Sequence, residues 1–185
     1  MEYLKADIES LGERTSEEII KDEVLDFMKA CYQCGTCSGS CPSGRRTAIR
    51  TRQLIRESLL NIEKVLADPD IWMCTTCFTC FERCPRSLPT TNIILKLRNL
   101  ACQRGFMMAS HKSLTHILFK TGHGVPLGGT DNKWTQARVS YGLPKIPPTT
   151  HSHPEAVKEV ELLMKSTNFD KLVDYKSEET SNEQK

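Results

Sequence analysis

The chain has 185 residues and a formal net charge of +2, and 38% of its residues are hydrophobic. This length suits one compact domain with extensions, and the small net charge gives no reason to expect a nucleic-acid partner. The low apolar share predicts a small core, so another element must help to stabilise the fold, and the nine cysteines are the candidates.

No run of 18 or more apolar residues occurs, which predicts that no helix spans a membrane. The N-terminal stretch MEYLKADIES carries Glu2, Asp7 and Glu9 and lacks the apolar core of a signal peptide. We therefore expect a cytoplasmic protein, in which thiols stay reduced and clustered cysteines bind metal more often than they form disulfides.

Helical patterns dominate the first half of the chain. A first helix is predicted from Thr15, because Thr15 and Glu18 have the spacing of a capping box, and this helix should lead to Cys31. A second helix is predicted from about Arg45 to Asn61, after the first group of cysteines.

Two further helices are predicted after the second group of cysteines. One begins at Thr90 or Thr91 and continues to about Arg104, where Gly105 ends it. The next covers residues 110–121 and is ended by a glycine in the same way.

The remaining chain is less regular. Residues 122–153 are rich in Gly and Pro and are predicted to be irregular, with a short helical turn near residues 133–138. Pro154 suits the first residue of a last helix. The tail from Lys176 has no apolar residue and is predicted to be disordered.

These elements divide the chain into four predicted parts. They are an N-terminal extension at residues 1–14, a helical domain with both groups of cysteines at 15–121, a Gly/Pro-rich segment with a final helix at 122–175, and a disordered tail at 176–185. No segment alternates polar and apolar residues as a strand does, so the fold is predicted to be mostly α.

Eight of the nine cysteines form two copies of one motif. The first copy is CYQCGTCSGSCP at residues 31–42, and the second is CTTCFTCFERCP at residues 74–85. This spacing is a signature of 4Fe-4S clusters in which the fourth cysteine binds the other cluster. Three cysteines at i, i+3 and i+6 can surround one face of a cubane. The proline after the fourth cysteine keeps the chain extended there.

The motif therefore predicts two 4Fe-4S clusters with exchanged fourth ligands. The cysteines expected around the first cluster are Cys31, Cys34, Cys37 and Cys84. Those expected around the second cluster are Cys74, Cys77, Cys80 and Cys41. Such an exchange cross-links two distant segments, and we expect the domain to fold poorly without iron and sulfide.

Zinc and disulfides are the alternatives to clusters. Zinc sites use two separate CxxC pairs rather than a triple run followed by a lone cysteine and a proline, and crowded cysteines in a reducing compartment favour metal over disulfides. Cys102 stands alone in a predicted helix and is interpreted as a partly buried small residue. No histidine has ligand spacing to a cysteine, and no glycine-rich phosphate loop follows a strand, so no catalytic residue is predicted.

Arginines are concentrated near the two motifs. They are Arg45, Arg46, Arg50, Arg52, Arg56, Arg83 and Arg86. Cations near a negative cluster favour its reduced form, and they also suit an acidic partner. For Arg45, Arg52 and Arg56, a solvated helix face and a docking surface are both open interpretations.

The order of these motifs resembles the C-type iron–sulfur subunit of the soluble heterodisulfide reductase. The resemblance extends from about Cys31 to Met164 and rests on CYQCGTCSGSCPSGRRTAIRTRQLIR and WMCTTCFTCFERCPRSLPTTNIILKLRNLA. It implies an α-helical ferredoxin fold with two cluster loops and extra C-terminal helices. Since both motifs are complete, all eight cysteines match the family's ligands.

The resemblance also implies a place in an enzyme complex. In that family, the C-type subunit passes electrons from a flavin-containing A-type subunit to a B-type subunit, which reduces the mixed disulfide of coenzyme M and coenzyme B during methane formation. A hydrogenase or a formate dehydrogenase is the implied indirect donor. The chain has no Cys-Cys pair of the kind found in the B-type subunit, so the active site is expected in a partner. A free ferredoxin and a zinc-stabilised interaction module are the remaining alternatives.

Overall fold

The computed structural model describes residues 16–47, 50–124, 133–145, 147–148, 150 and 153–175. These residues form helices joined by turns, and no strand occurs among them, so the prediction of a mostly α fold is confirmed. Within the same residues, no helix is long and apolar enough to cross a membrane. The described residues up to Met108 form one compact unit, and those from Ala109 form another.

The N-terminal unit contains six α-helices and three short 3-10 helices among its described residues. The α-helices are α1 Ser16–Ile20, α2 Thr36–Gly39, α3 Thr51–Leu60, α4 Ile62–Leu66, α5 Thr79–Glu82 and α6 Thr90–Gln103. The 3-10 helices are Asp26–Ala30, Pro42–Arg45 and Pro69–Met73.

A small apolar core lies between α3, α4 and α6. Helix α6 contributes the apolar face that its sequence predicts, with Ile93, Leu97 and Leu100 almost fully buried. Leu54 and Ile55 of α3 belong to the same buried cluster. Burial of each such side chain stabilises the fold by roughly 1.5–3 kcal/mol, and α6 therefore supports the loops that flank it.

The first helix is shorter than the sequence predicts. Helix α1 ends at Ile20, and turns lead to the 3-10 helix that precedes Cys31. The carboxylate of Asp22 accepts a hydrogen bond from Val24 N at 3.0 Å and pairs with Lys96 Nζ at 2.8 Å. An aspartate that bonds its own backbone in this way competes with helix formation, so the prediction of one continuous helix is wrong. Thr15 lies outside the described residues.

The second helix begins later than the sequence predicts. Helix α3 begins at Thr51 instead of Arg45, and Arg50 is its N-cap residue. Gln53 stabilises this start, since its side chain accepts a hydrogen bond from Arg50 N at 3.1 Å. Helix α6 ends at Gln103, within one residue of the predicted end. Gly105 follows with a φ of 80°, which glycine adopts without strain.

The C-terminal unit contains four α-helices among its described residues. They are α7 Ala109–Thr121, α8 Lys133–Ser140, α9 Pro154–Ser166 and α10 Phe169–Leu172. Helix α9 begins at Pro154 as predicted and packs against α7 and α10. The buried Phe119 ring stacks on Phe169 and Tyr175, with ring centroids 6.3 and 4.1 Å apart.

Contacts group helix α7 with this C-terminal unit. The sequence places residues 110–121 in the helical domain with both groups of cysteines, and the four predicted parts of the chain stay predictions. Residues 125–132 of the Gly/Pro-rich segment and the predicted disordered tail at 176–185 lie outside the described residues.

Candidate metal centres

Two cavities in the N-terminal unit are lined by the eight motif cysteines. The first cavity holds about 360 Å³, including its open mouth, and its cysteines are Cys31, Cys34, Cys37 and Cys84. The second cavity holds about 540 Å³ on the same basis, and its cysteines are Cys41, Cys74, Cys77 and Cys80. Each cavity is thus lined by one of the two predicted sets of four cysteines, in which three come from one motif and the fourth from the other.

The two cysteine loops share an unusual backbone. Gln33 and Gly35 have φ angles of 64° and 85°, and the equivalent Thr76 and Phe78 have 51° and 59°. A short helix follows in each loop, α2 in the first and α5 in the second. These alternating left-handed residues curl each loop, so that its first three cysteines line the same cavity.

Cys41, the fourth cysteine of the first motif, lines the cavity of the second motif, and the proline that follows it favours an extended backbone there. Cys41 is extended, with ψ of 121°, and Pro42 begins a 3-10 helix. Helices α2 and α5 pack against each other, and Arg83 Nη1 donates to Ser40 Oγ at 3.2 Å. These contacts bring the two motifs together, although 43 residues separate Ser40 from Arg83.

Threonines lie next to the most exposed thiols. Thr36 Oγ1 is 3.4 Å from Cys34 Sγ, and Thr79 Oγ1 is 3.4 Å from Cys77 Sγ. The hydroxyl hydrogen bond lowers the pKa of each thiol, and backbone hydrogen bonds at the same threonines lower it further. A lowered pKa favours the thiolate, which is the form that binds metal.

The more buried thiols, Cys37 and Cys80, have raised rather than lowered pKa values. Burial raises the pKa of Cys37 and of Cys80 above the usual value for cysteine. The buried Thr91 hydroxyl lies 3.4 Å from Cys80 Sγ and partly offsets that effect. A cation bound in the cavity supplies the positive charge that a buried thiolate needs.

Backbone amides also point at cysteine sulfurs. Thr76 N donates to Cys74 Sγ at 3.4 Å, and Leu88 N donates to Cys84 Sγ at 3.4 Å. In the first loop, the side-chain amide of Gln33 donates to Cys31 Sγ at 3.3 Å. Such hydrogen bonds stabilise negative charge on sulfur and influence the potential of a cluster.

Arg98 of α6 contacts the backbone of the second cysteine motif, which the sequence does not reveal. Its Nε donates to Ile71 O at 2.8 Å, its Nη2 donates to Cys74 O at 2.6 Å, and its guanidinium lies 5.6 Å from the centre of the Trp72 ring. The one available signal is that Arg98 follows Thr91 by seven residues, which places both on one face of α6.

The seven arginines near the motifs are all exposed. Arg52 and Arg86 line the first cavity, whereas Asp70 lines the second. Among the ion pairs of the described residues, none involves any of the seven. Both interpretations of Arg45, Arg52 and Arg56, a solvated face and a docking surface, therefore stay open.

Cys102 lines neither cavity and is half-buried on α6, as the sequence predicts. His116 packs within the C-terminal unit, where its Nε2 lies 2.7 Å from Val173 O. In the described part of the chain, neither residue joins the cavity-lining cysteines.

The cysteine sets fit 4Fe-4S clusters. None of the nine cysteines forms a disulfide, and four of them line each cavity. No group of three or more His, Cys, Asp or Glu side chains among the described residues is placed to hold a single metal ion. Four thiols around a space suit a cubane better than one zinc ion, which needs ligands at about 2.0–2.3 Å.

Comparisons with known proteins point to the same chemistry. A family model described as a 4Fe-4S dicluster domain matches residues 27–88. The C-type iron-sulfur subunit of the CoB–CoM heterodisulfide reductase from Methanopyrus kandleri is 44% identical over 173 residues, covering 93% of this chain and 88% of the relative. The C-type subunit of the H2:CoB-CoM heterodisulfide,ferredoxin reductase from Methanothermobacter marburgensis is 45% identical over 85% of this chain and 84% of the relative. The C-type subunit of the ferredoxin:CoB-CoM heterodisulfide reductase from Methanosarcina mazei is 44% identical over 84% of this chain and 94% of the relative.

Proposed function

This chain belongs to the family of C-type iron–sulfur subunits of CoB–CoM heterodisulfide reductases, and from that premise we propose that it relays electrons between two partner subunits through two 4Fe-4S clusters. Iron–sulfur electron transfer within an oxidoreductase complex is the role of this family. The proposed donor is a flavin-containing A-type subunit, and the proposed acceptor is a catalytic B-type subunit that reduces the heterodisulfide of coenzyme M and coenzyme B in methanogenesis.

One observation carries the proposal: each cavity is lined by three cysteines of one motif and the fourth of the other. The proposed ligands of the first cluster are Cys31, Cys34, Cys37 and Cys84. The proposed ligands of the second cluster are Cys74, Cys77, Cys80 and Cys41. When bound, such clusters supply one-electron redox chemistry.

The residues around the cysteines suit this task. The hydroxyls of Thr36 and Thr79 and the amide of Thr76 lie at hydrogen-bond distance from sulfurs, where they stabilise negative charge. The left-handed loop residues bring the backbone close to the cavities. Arg52 and Arg86 add positive charge at the mouth of the first cavity. These groups hold and adjust an electron carrier, and no catalytic role is proposed for this chain.

The names of the relatives support a relay. One acts in a hydrogen-dependent reductase and another in a ferredoxin-dependent one, although both are C-type subunits of similar sequence. The donor is therefore expected to enter through a different subunit. A hydrogenase or formate dehydrogenase is the proposed indirect donor, and the cytoplasm is the proposed compartment, because free thiols in cluster motifs require reducing conditions.

Purification of the native complex under anaerobic conditions tests the proposal. We expect this chain to co-purify with a flavoprotein and a heterodisulfide-reducing subunit, and to hold about eight iron and eight sulfide ions, four of each per cluster. A chain that purifies alone with full iron and sulfide would overturn the relay in favour of a free ferredoxin. A chain that holds zinc and no sulfide would overturn the clusters themselves.

A further inference from the structure

Arg98 connects helix α6 to the segment that precedes the second cysteine motif. Its two hydrogen bonds reach the carbonyls of Ile71 and Cys74, 27 and 24 residues away in sequence. Ile71 lies in the 3-10 helix Pro69–Met73, and Cys74 is the first cysteine of the motif. The planar guanidinium, with donors in a fixed fork, suits two carbonyls at once. The fork therefore holds the backbone of Cys74 in place.

The charge of Arg98 is not neutralised by an ion pair with any described carboxylate. Among the ion pairs of the described residues, none includes Arg98. The side chain is partly buried, and the Trp72 ring lies near it. Burial lowers the pKa of Arg98, but an arginine keeps its proton at any pH that the protein tolerates. The second cavity thus has a fixed positive charge next to its first cysteine.

The first cavity is built differently at the equivalent place. There, the neutral amide of Gln33 donates to Cys31 Sγ. No hydrogen bond of the described residues joins an arginine to the Cys31 carbonyl. Its cations, Arg52 and Arg86, are exposed, so water and salt screen their charge. A partly buried cation is screened less, and its influence per charge is larger.

We propose that Arg98 is a positioning residue that raises the reduction potential of the second cluster. It orients Cys74 through the two carbonyls, and its charge stabilises the more negative, one-electron-reduced form of the cluster. This inference rests on the proposed ligand set Cys41, Cys74, Cys77 and Cys80, and it assigns α6 a role beyond core packing.

The test compares Arg98→Gln and Arg98→Lys in the native complex. Redox titration followed by electron paramagnetic resonance measures the two one-electron steps separately. In R98Q we expect the reduced-to-oxidised ratio of one cluster to fall about tenfold at a given potential, which equals about 59 mV for a one-electron couple. R98K keeps the charge but cannot bond both carbonyls as the planar fork does, so we expect the ratio to fall by only about twofold to threefold.

Three control variants assign the effect. Cys77→Ser perturbs the second cluster and Cys34→Ser the first, so they identify which spectroscopic component each step belongs to. Arg56→Gln removes an equal charge from an exposed position of α3 that lines neither cavity. The step shifted by R98Q should be the one perturbed by C77S, and R56Q should shift neither.

Several results would overturn the role of Arg98. They are an R98Q variant with both potentials unchanged, an equal shift of both steps, or an R98K variant that shifts as far as R98Q. If R98Q loses iron, the test rests on R98K alone. A tenfold change in the reduced-to-oxidised ratio of an iron-replete R98K would contradict the charge effect, because R98K keeps the charge. Two titrating clusters with full iron and sulfide leave the proposed function intact whatever Arg98 does, whereas their absence would overturn the proposed function instead.

Discussion

At the scale of single residues, the two cysteine loops share a threonine next to a cysteine sulfur and a left-handed backbone residue. Thr36 and Thr79 occupy equivalent positions and lie at the same distance from the preceding cysteine sulfur. Gly35 and Phe78 are also equivalent, and both are left-handed. A left-handed non-glycine residue costs about 1–2 kcal/mol. The second loop therefore keeps the left-handed conformation at Phe78 although a phenylalanine disfavours it.

Replacement of Cys41 by Ala is expected to damage the second cluster, because only three thiols remain around that cavity. The spectroscopic component lost in C41A should be the one lost in Cys77→Ala. Cys84→Ala should instead remove the component affected by Cys34→Ala, and Cys102→Ala should leave both unchanged. If C41A altered the component of Cys34→Ala, the exchange of fourth ligands would be refuted.

Replacement of Gly35 by Ala is expected to destabilise the cluster-loaded protein by about 1–2 kcal/mol. Gly35 has a φ of 85°, and an added Cβ would approach nothing closer than 3.8 Å, so backbone strain is the cause. Chemical unfolding under anaerobic conditions measures the change. The control is Gly39→Ala in α2, whose Cβ would meet nothing within 4 Å. An equal loss in both variants would argue against strain at Gly35.

At the scale of elements, helix α6 organises the N-terminal unit. Its apolar face lies in the core, and three polar side chains reach other segments. Thr91 contacts Cys80, Lys96 pairs with Asp22, and Arg98 binds the backbone of Cys74. A displacement of α6 would therefore affect the second cavity and the turn after α1 together.

The ion pair between Asp22 and Lys96 is expected to stabilise that turn by about 0.5–1 kcal/mol, since both side chains are partly buried. Burial raises the pKa of Asp22, but hydrogen bonds from Lys96 and from the backbone lower it below the usual value for aspartate. A double-mutant cycle of Asp22→Asn and Lys96→Met at pH 7 measures the coupling in the free energy of unfolding.

The sign of the pH dependence follows from the lowered pKa of Asp22. Its contribution is present above the unfolded-state pKa of about 3.9 and is lost as the pH falls through the folded-state value. Neutral pH is therefore the condition in which the pair is fully formed. A coupling of zero at pH 7 would show that Asp22 acts only through its hydrogen bond to Val24.

At the scale of the whole molecule, the formal charge of +2 hides an uneven distribution. Seven exposed arginines lie close in sequence to the two cysteine motifs, and no ion pair of the described residues neutralises them. A surface of this kind attracts an acidic partner and raises the association rate at low salt. The docking interpretation of Arg45, Arg52 and Arg56 therefore predicts a salt-dependent association rate, whereas a solvated face predicts none.

Replacement of Arg56 by Glu is expected to slow association with the native partner subunits severalfold at low ionic strength, with a smaller effect at high salt. Arg56 is exposed and lines neither cavity, so the potentials should not change. The control is Lys171→Glu, which makes the same charge change at an exposed position of α10. Equal association rates for R56E and the wild type would favour a solvated face over a docking surface.

The sequence predicted the elements that depend on local pattern. The start of α9 at Pro154, the end of α6 before Gly105 and the apolar face of α6 agree with prediction, because capping residues and helical periodicity act within a few residues. The break after Ile20 was missed. The break depends on Asp22, whose carboxylate bonds Val24 N and also pairs with Lys96. Lys96 is distant in sequence, so no local pattern predicts that contact.

By itself, the sequence determined the chemistry of this protein, since two C-x2-C-x2-C-x3-C-P motifs specify 4Fe-4S binding by the spacing of their thiols. The tertiary structure decided which other side chains serve the two cavities. Arg98 reaches Cys74 across 24 residues, and Thr91 reaches Cys80 across 11. The spacing of the ligands is a local property that can be read from the sequence. The contacts of Arg98 and Thr91 form only when α6 packs its apolar face into the core, because this packing places its polar residues next to the cysteine loops.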